Sequence, residues 1–595
     1  MRASMRPEWI VLLVAAAVYA FNMVSPPSLM DDVDSWQALL AKNMFKSGDW
    51  VTTRVDGLVY FEKAPLKTWI AATFYHLFGV HDWVARLPIV LSCIALALLL
   101  VRMGRWAFDA KIGLYAGIVI STCVGLFLFT RIDIADVLLT LLIAVALYGF
   151  IRAVDPDEPH GRRWAYVLAA GCALAVLTKG LIGLVIPGGA VFFYLLATRQ
   201  LFRRELWKKL HPLTGLLLFL AIAVPWHVLA TLRNPPYFYF GLGGPGQYHG
   251  FFWFYIINEH FLRFLNLRYP RDYNTVPRWL FWGFHLLWFF PWSVYLPAVF
   301  KLNYRPVDRA GRLRLLCACW IGFVMLFFTF STTQEYYSMP LYPALALLLA
   351  CGMAESEKWL RIGNRILIGF ALAAAAAIAA LLIITAHVPT PGDISVALSR
   401  HPGDYTLSLG HMLDLTVESF AYLRLPLFVA GIAFLLGAIG AFVLKGRRAL
   451  YAFAAMMVVF FFAARLALVV FDPYMSSHPL AEALNHAPAG KLIIQDDINR
   501  ESSVLFYHTD DVLILNGRYF VMEYGSYAPG APDVFIDDAK LEKLWTTGKR
   551  YYLLVPDESV KRIRSEIPEN SLYTLASIGG KTVFTNEPVG TASPQ

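Results

Sequence analysis

Apolar stretches of near 20 residues recur along the first 470 positions, and this recurrence constrains the chain more than any motif does. A stretch of that length matches the hydrocarbon thickness of a bilayer, so each one is read as a membrane-spanning helix. The sequence offers about thirteen of them, at 8–24, 82–101, 112–130, 134–151, 164–178, 181–198, 213–232, 278–300, 315–331, 337–354, 366–386, 422–444 and 449–470. With only 16% charged residues and a mean hydropathy of +0.54, a soluble enzyme, a disordered chain and a repeat solenoid are excluded. The first stretch follows Arg2 and Arg6 but runs through Phe21 into Pro26 and Pro27 with no small-residue cleavage site. It is read as a span rather than a signal peptide. The six cysteines all lie in apolar runs, with neither zinc-site nor disulfide spacing.

The loops set orientation. Arg102, Arg105 and Lys111 follow the second span, and Arg152, Arg162 and Arg163 follow the fourth. Every even-numbered exit is basic in the same way, which places those loops and the N-terminus in the cytoplasm. The net charge of +9 is thereby assigned to membrane topology, not to nucleic acid. The odd-numbered exits, including long loops at 25–81, 233–277 and 387–421, face the other side. So does everything after residue 470. Trp69–Tyr75 in the first loop reads as an interfacial amphipathic helix. After 470 the composition becomes that of a small soluble α/β domain, with strand-like runs at Leu492–Ile494, Val512–Leu515 and Tyr551–Val555. The expected fold is therefore mainly α: a polytopic helical membrane domain over 1–470, followed by an α/β domain over 471–595.

Ionisable residues gather at the non-cytoplasmic helix ends, where they are costly unless used. They comprise Asp31, Asp32 and Asp34 after the first span, then Tyr60-Phe61-Glu62-Lys63, then Arg131, Asp133 and Asp136 before the fourth span. Lys179 lies between spans five and six, Asn258-Glu259-His260 with Arg263 closes the loop after span seven, and Gln334-Glu335-Tyr336-Tyr337 precedes span ten. Six charged motifs on five loops of one face point to a shared site. Carboxylates there suit a general base or a metal, and lysine and arginine suit a phosphate.

Taken in order, these motifs resemble those of the bacterial polyprenyl-phosphate-sugar glycosyltransferases of the GT-C type. The likeness is greatest to the lipid A aminoarabinose transferases and more distant to the protein O-mannosyltransferases. It extends over about residues 8–360. The resemblance implies a catalytic aspartate at Asp32, Asp31 or Asp34, with Asp136 as a second acidic position. It implies Lys63 and Lys179 at the lipid phosphate, with Tyr337 nearby. Tyr60, Arg131 and Arg263 join them as donor-binding candidates, and Glu62 with His260 as a pair able to hold a divalent metal, zinc or magnesium. Where the family has a lysine before its Tyr-x-Leu-Pro, this chain has Gln334 and Glu335.

The function expected is inverting transfer of a sugar from an undecaprenyl-phosphate carrier to a glycolipid such as lipid A, at the periplasmic face of a bacterial inner membrane. Protein O-mannosylation is the alternative within the class, and a protein is then the acceptor. A transporter of lipid-linked substrates is the alternative outside it, and would need ionisable residues along the spans or inverted repeats.

Overall fold

In hydrocarbon every backbone N–H and C=O must be satisfied within its own segment, so the apolar runs are helices. The computed structural model describes residues 6–271, 276–331, 334–399, 410–519 and 522–589; the loops expected at 233–277 and 387–421 lie partly outside these. Among the described residues eight helices are long and apolar enough to cross a membrane: Asp82–Ala107, Asp136–Val154, Arg204–Arg233, Arg309–Phe330, Glu335–Glu355, Glu357–Ile384, Arg424–Leu444 and Gly446–Met475. Three more apolar helices, Pro7–Met23, Ala110–Thr122 and Ile182–Ala197, are shorter. Three expected spans differ in form, and the first of them, 112–130, breaks at Cys123 into Ala110–Thr122 and Val124–Phe129. Gly161–Lys179 is a helix with basic residues at both ends. The stretch 278–300 breaks into Arg278–Trp288, Trp292–Tyr295 and Leu296–Val299, since Pro291 and Pro297 cannot donate to a continuous helical ladder.

The helices that carry the site are α1 (Pro7–Tyr19), α2 (Val33–Ser47), α3 (Leu66–Phe78), α4 (Asp82–Ala107), α5 (Ala110–Thr122), α6 (Val124–Phe129), α7 (Asp136–Val154) and α8 (Gly161–Lys179). Small residues let these helices approach closely. A Cβ placed on Gly104 of α4 would fall 2.5 Å from the Gly113 Cα of α5. The first long loop holds more structure than its polarity suggested. The helix expected around Trp69–Tyr75 is α3; α2 and the two-stranded β1 (Arg54–Val55) and β2 (Leu58–Val59) were not anticipated.

The last long helix runs to Met475, so the soluble domain begins a few residues later than expected. Its sheet has the order β5-β4-β3-β6-β8-β7, from β3 (Lys491–Gln495), β4 (Val512–Leu515), β5 (Phe535–Ile536), β6 (Tyr551–Pro556), β7 (Tyr573–Ile578) and β8 (Lys581–Thr585). The three strand-like runs read from sequence are β3, β4 and β6, which pair in parallel; β8 is antiparallel to β6. Alternate residues serve two cores. Ile493, Leu553 and Val555 face Trp545 and Ile563 within the domain. Leu492, Ile494, Val512, Ile514 and Leu554 share a core with Trp36, Leu39, Val55, Leu58 and Tyr60 of the first loop. One face of the soluble sheet is thus packed on the loop that carries the acidic cluster.

Candidate active site

Three carboxylates within four residues repel one another, and the structure gives each a different environment. Asp34 is buried, with Arg86 of α4 at 3.1 Å and backbone N–H groups of Met30 and Asp133 at 2.9 and 2.8 Å. Asp31 accepts from the Lys581 ammonium of β8, from the Ser477 hydroxyl at 2.9 Å and from the Ser503 N–H at 2.8 Å. The Asp32 carboxylate has no hydrogen-bond or ion-pair partner among the described residues.

Asp32 caps the start of α2 with φ +69° and ψ −132°, a conformation that costs a non-glycine residue about 1–3 kcal/mol. The soluble domain holds it there: the Asp32 N–H donates to the Asn499 carbonyl at 2.8 Å and the Ser502 hydroxyl at 2.7 Å. Asp32 as a residue is exposed, yet protein atoms crowd its carboxylate. That desolvation, together with the nearby charge of Asp497, raises its pKa to about 7 against the pull of Lys63. A strained, unpaired carboxylate that titrates near neutrality is suited to accept a proton.

Around Asp32 runs a continuous chain of charges. Tyr60 donates to Glu62 at 3.0 Å, and Lys63 stands 3.5 Å from the same carboxylate. Arg268 bridges Glu62, at 2.7 Å, and Glu259. Arg263 pairs with Glu259 at 2.7 Å and donates to the Tyr337 hydroxyl at 3.0 Å. Lys179 lies 4.8 Å from the centre of the Tyr337 ring and 5.2 Å from that of Tyr336, and binds both Asp136 oxygens at 2.6 and 2.8 Å. Four cations face three carboxylates, and ionised Asp32 beside them brings the charges to balance. Exposure divides the cations: Arg268 is fully enclosed, whereas Lys63, Lys179 and Arg263 keep 37%, 32% and 23% of their side chains accessible. Arg268 is scaffold, and the other three are able to meet a ligand.

Local sequence explains the placement. A π-helical turn over Trp253–Leu262 carries Glu259 and Asn258. Asn258 accepts from the Tyr269 N–H at 2.9 Å, which pins the segment bearing Arg268. Burial alone would raise the Glu259 pKa, but Arg268 and Arg263 outweigh it and hold the carboxylate below its usual range. Lys179 ends α8 at Gly180, whose φ is +73° and whose Cβ, were there one, would overlap the His260 imidazole 1.8 Å away. His260 is therefore a wall of the Lys179 turn.

This geometry bears on each residue singled out from sequence. Tyr60, Glu62, Lys63, Asp136, Lys179, Arg263 and Tyr337 come together as one network, with Asp32 beside it. Glu62 and His260 do not form a metal pair. Glu62 is taken by a guanidinium, a phenol and an ammonium, while His260 Nδ1 faces the Tyr255 carbonyl at 2.5 Å. A divalent cation there would sit against Arg268 and Lys63, and among the described residues no group of three or more His, Cys, Asp or Glu could hold one. These residues do not fit a metal. Arg131 stands apart, donating to the Ser25 carbonyl at 3.0 Å and stacking on Phe127. Asp133 pairs instead with Lys67 of α3, both fully buried. The sequence reading passed over Arg268 and Glu259 as site residues, and the contacts of Asn499, Ser502 and Lys581 with the acidic cluster. Glu259 lay inside a noted motif, but nothing flanking Arg268 marks it.

Polytopic helices, a docked α/β domain and a site of mixed charge at one end of the bundle together form a fold that a solved structure shares. Residues 62–228 match the family described as dolichyl-phosphate-mannose-protein mannosyltransferase. The chain has the fold of ArnT from Cupriavidus metallidurans, whose crystal structure bound to undecaprenyl phosphate superposes with a TM-score of 0.77 over 99% of both chains at 23% identity. The apo form of that protein gives the same TM-score at 24% identity. In sequence, the undecaprenyl phosphate-alpha-4-amino-4-deoxy-L-arabinose arabinosyl transferase 1 of Sodalis glossinidius is 28% identical over 59% of this chain and 60% of its own length. The corresponding transferase of Edwardsiella ictaluri is 27% identical over 64% of this chain and 66% of its own. The matched region thus spans a little under two thirds of these relatives.

Proposed function

We propose that this protein transfers a sugar from undecaprenyl phosphate to a glycolipid acceptor, lipid A or another envelope lipid, with inversion at the anomeric carbon. The observation that carries the reading is the unpaired Asp32 carboxylate among three accessible cations. Lys63, Lys179 and Arg263 hold the phosphate of the donor. As the bond between the anomeric carbon and the phosphate oxygen breaks, its electron pair and charge stay on undecaprenyl phosphate, where fixed cations stabilise them most. An acceptor oxygen attacks the same carbon from the opposite side, and its proton passes to ionised Asp32. An acceptor phosphate oxygen is already ionised, and Asp32 would then orient it. The named relatives favour 4-amino-4-deoxy-L-arabinose as the sugar. We place the site and the soluble domain in the periplasm and the N-terminus in the cytoplasm of the bacterial inner membrane, because the basic loops lie at the opposite helix ends. The charges cluster at one end of the bundle instead of lining a path through it, which favours a transferase over a transporter.

The match to protein mannosyltransferases makes a protein acceptor the second reading. A reconstituted assay decides between them: radiolabelled polyprenyl-phosphate sugar is offered with lipid A or with a Ser/Thr-rich polypeptide. Label entering lipid A and lost in Asp32→Asn supports the proposal. Label entering only the polypeptide selects the second reading, and label entering neither refutes both.

A further inference from the structure

At the basic end of the bundle, α4, α7 and α8 turn one face each toward a cavity of about 510 Å³ that also touches Glu8 of α1. Leu99, Arg102 and Trp106 fall at helical spacing on α4, Val145, Tyr148 and Arg152 on α7, and Trp164 and Val167 on α8. The mouth is cationic and aromatic. Arg152 lies over the rings of Trp164, Trp106 and Tyr148 at 4.3, 5.2 and 5.4 Å and donates to the Tyr148 hydroxyl at 2.8 Å. Arg105 pairs with Glu8 and Arg152 with Glu158. Arg102 is exposed and has no hydrogen-bond or ion-pair partner among the described residues. The inner wall is apolar: Leu99 lies about 12 Å along α4 from its end at Ala107, at hydrocarbon depth.

We infer that this cavity binds an anionic phospholipid of the leaflet opposite the active site, its phosphodiester against Arg102 and Arg105 and its acyl chains against Leu99, Val145 and Val167. A free phosphate would use only the mouth and leave the apolar depth unexplained. A basic pocket between spans with tryptophan at the interface provides what a charged head group with an attached tail requires. The inference does not depend on the transfer reaction. The cavity and the site nonetheless share three helices, since Arg86, Asp136 and Lys179 stand about 22–24 Å along α4, α7 and α8 from Arg102, Arg152 and Trp164.

Native mass spectrometry of the detergent-purified, delipidated protein tests this, titrating phosphatidylglycerol against phosphatidylcholine of identical chains. The wild type is expected to retain phosphatidylglycerol preferentially, and Arg102→Gln to weaken that retention about fivefold, the scale of one interfacial cation. Arg204→Gln, an exposed change elsewhere on the basic face, is the control and should leave retention unchanged. Equal retention of the two lipids, an unaltered Arg102→Gln, or an equal loss in Arg204→Gln would each overturn the assignment. Displacement of the lipid by millimolar inorganic phosphate would also overturn it, since the mouth would then be a site for a soluble anion.

Discussion

Lys581, in the last strand of the soluble domain, donates to the carboxylate of Asp31, 550 positions earlier and directly after the first span. With Asn499 and Ser502 on the Asp32 backbone, this contact makes the soluble domain the clamp on the acidic cluster. Lys581→Met would strand a carboxylate whose side chain is only 10% exposed, at a cost of roughly 3 kcal/mol. It should lower both thermal stability and transfer. Removing the carboxylate as well restores charge balance, so Asp31→Asn with Lys581→Met should recover a large part of the lost stability. A double variant no more stable than the single one would show that the pair is not the clamp.

Single Asp→Asn changes across the cluster should separate by mechanism. Asp32→Asn keeps shape and fold but removes the unpaired base, and transfer should fall about 10²-fold or more. Asp34→Asn leaves Arg86 buried against a neutral amide, so its loss should register first in folded yield. Activity measured per folded molecule separates the two, and a fully active Asp32→Asn would remove this loop from the catalytic centre.

The rate should titrate with Asp32. Desolvation first and Asp497 second hold its folded pKa at about 7, above the ordinary 3.8. Only the ionised form accepts a proton, so kcat/KM for a hydroxyl acceptor should climb about tenfold per pH unit below 7 and level off above it. Stability runs the other way. A carboxyl whose folded pKa is raised favours the fold while protonated; that contribution is whole below 3.8 and is lost as pH rises through 7. Asp497→Asn should move the inflection of the rate profile downward, and an unmoved inflection would detach it from Asp32.

Much of this was legible in the sequence, for physical reasons. Span-length apolar runs admit few structures besides helices, and charges at their ends are expensive, so the polytopic class and most of the charged loops could be read directly. What escaped depended on partners distant in the chain. Arg268 sits in Asn266-Leu267-Arg268-Tyr269-Pro270, where nothing hints that it bridges Glu62 and Glu259. Glu62 and His260 entered as a metal pair through the resemblance alone, and the sequence does not reveal that a guanidinium meets one and a glycine turn the other. Helix α2 was missed because its buried face includes Asp34, Ser35, Gln37 and Lys42, residues that hydropathy assigns to solvent.

Metal removal should be silent. Glu62 is held by Arg268, Lys63 and Tyr60, and the proposed transfer uses lysine, arginine and aspartate throughout. Chelation with EDTA followed by gel filtration should leave turnover within about twofold of the untreated enzyme. Inactivation that zinc or magnesium then reverses would restore Glu62 and His260 as metal ligands.

The accessible and enclosed cations should fail differently when truncated. Lys63 stands at the edge of the network with 37% of its side chain exposed, so Lys63→Ala removes the proposed phosphate contact while Glu62 keeps Arg268 as its partner. Its loss should appear in transfer, by about 10²-fold, the scale of one fixed donor to a developing anion, with melting temperature nearly unchanged. Lys179→Ala should lose at least as much transfer, and some stability too, since Asp136 is left with 4% exposure and no ammonium. Arg268 is fully enclosed between Glu62 and Glu259. Arg268→Ala leaves those two carboxylates facing each other in a desolvated site, and removing the partner of a buried ion pair costs about 3–5 kcal/mol. Its signature should be lost folding, with little residual rate to measure. The comparison rests on two readouts, melting temperature and transfer per folded protein. A Lys63→Ala variant that melts early, or an Arg268→Ala variant that folds normally, would reverse the division between scaffold and ligand-facing charge.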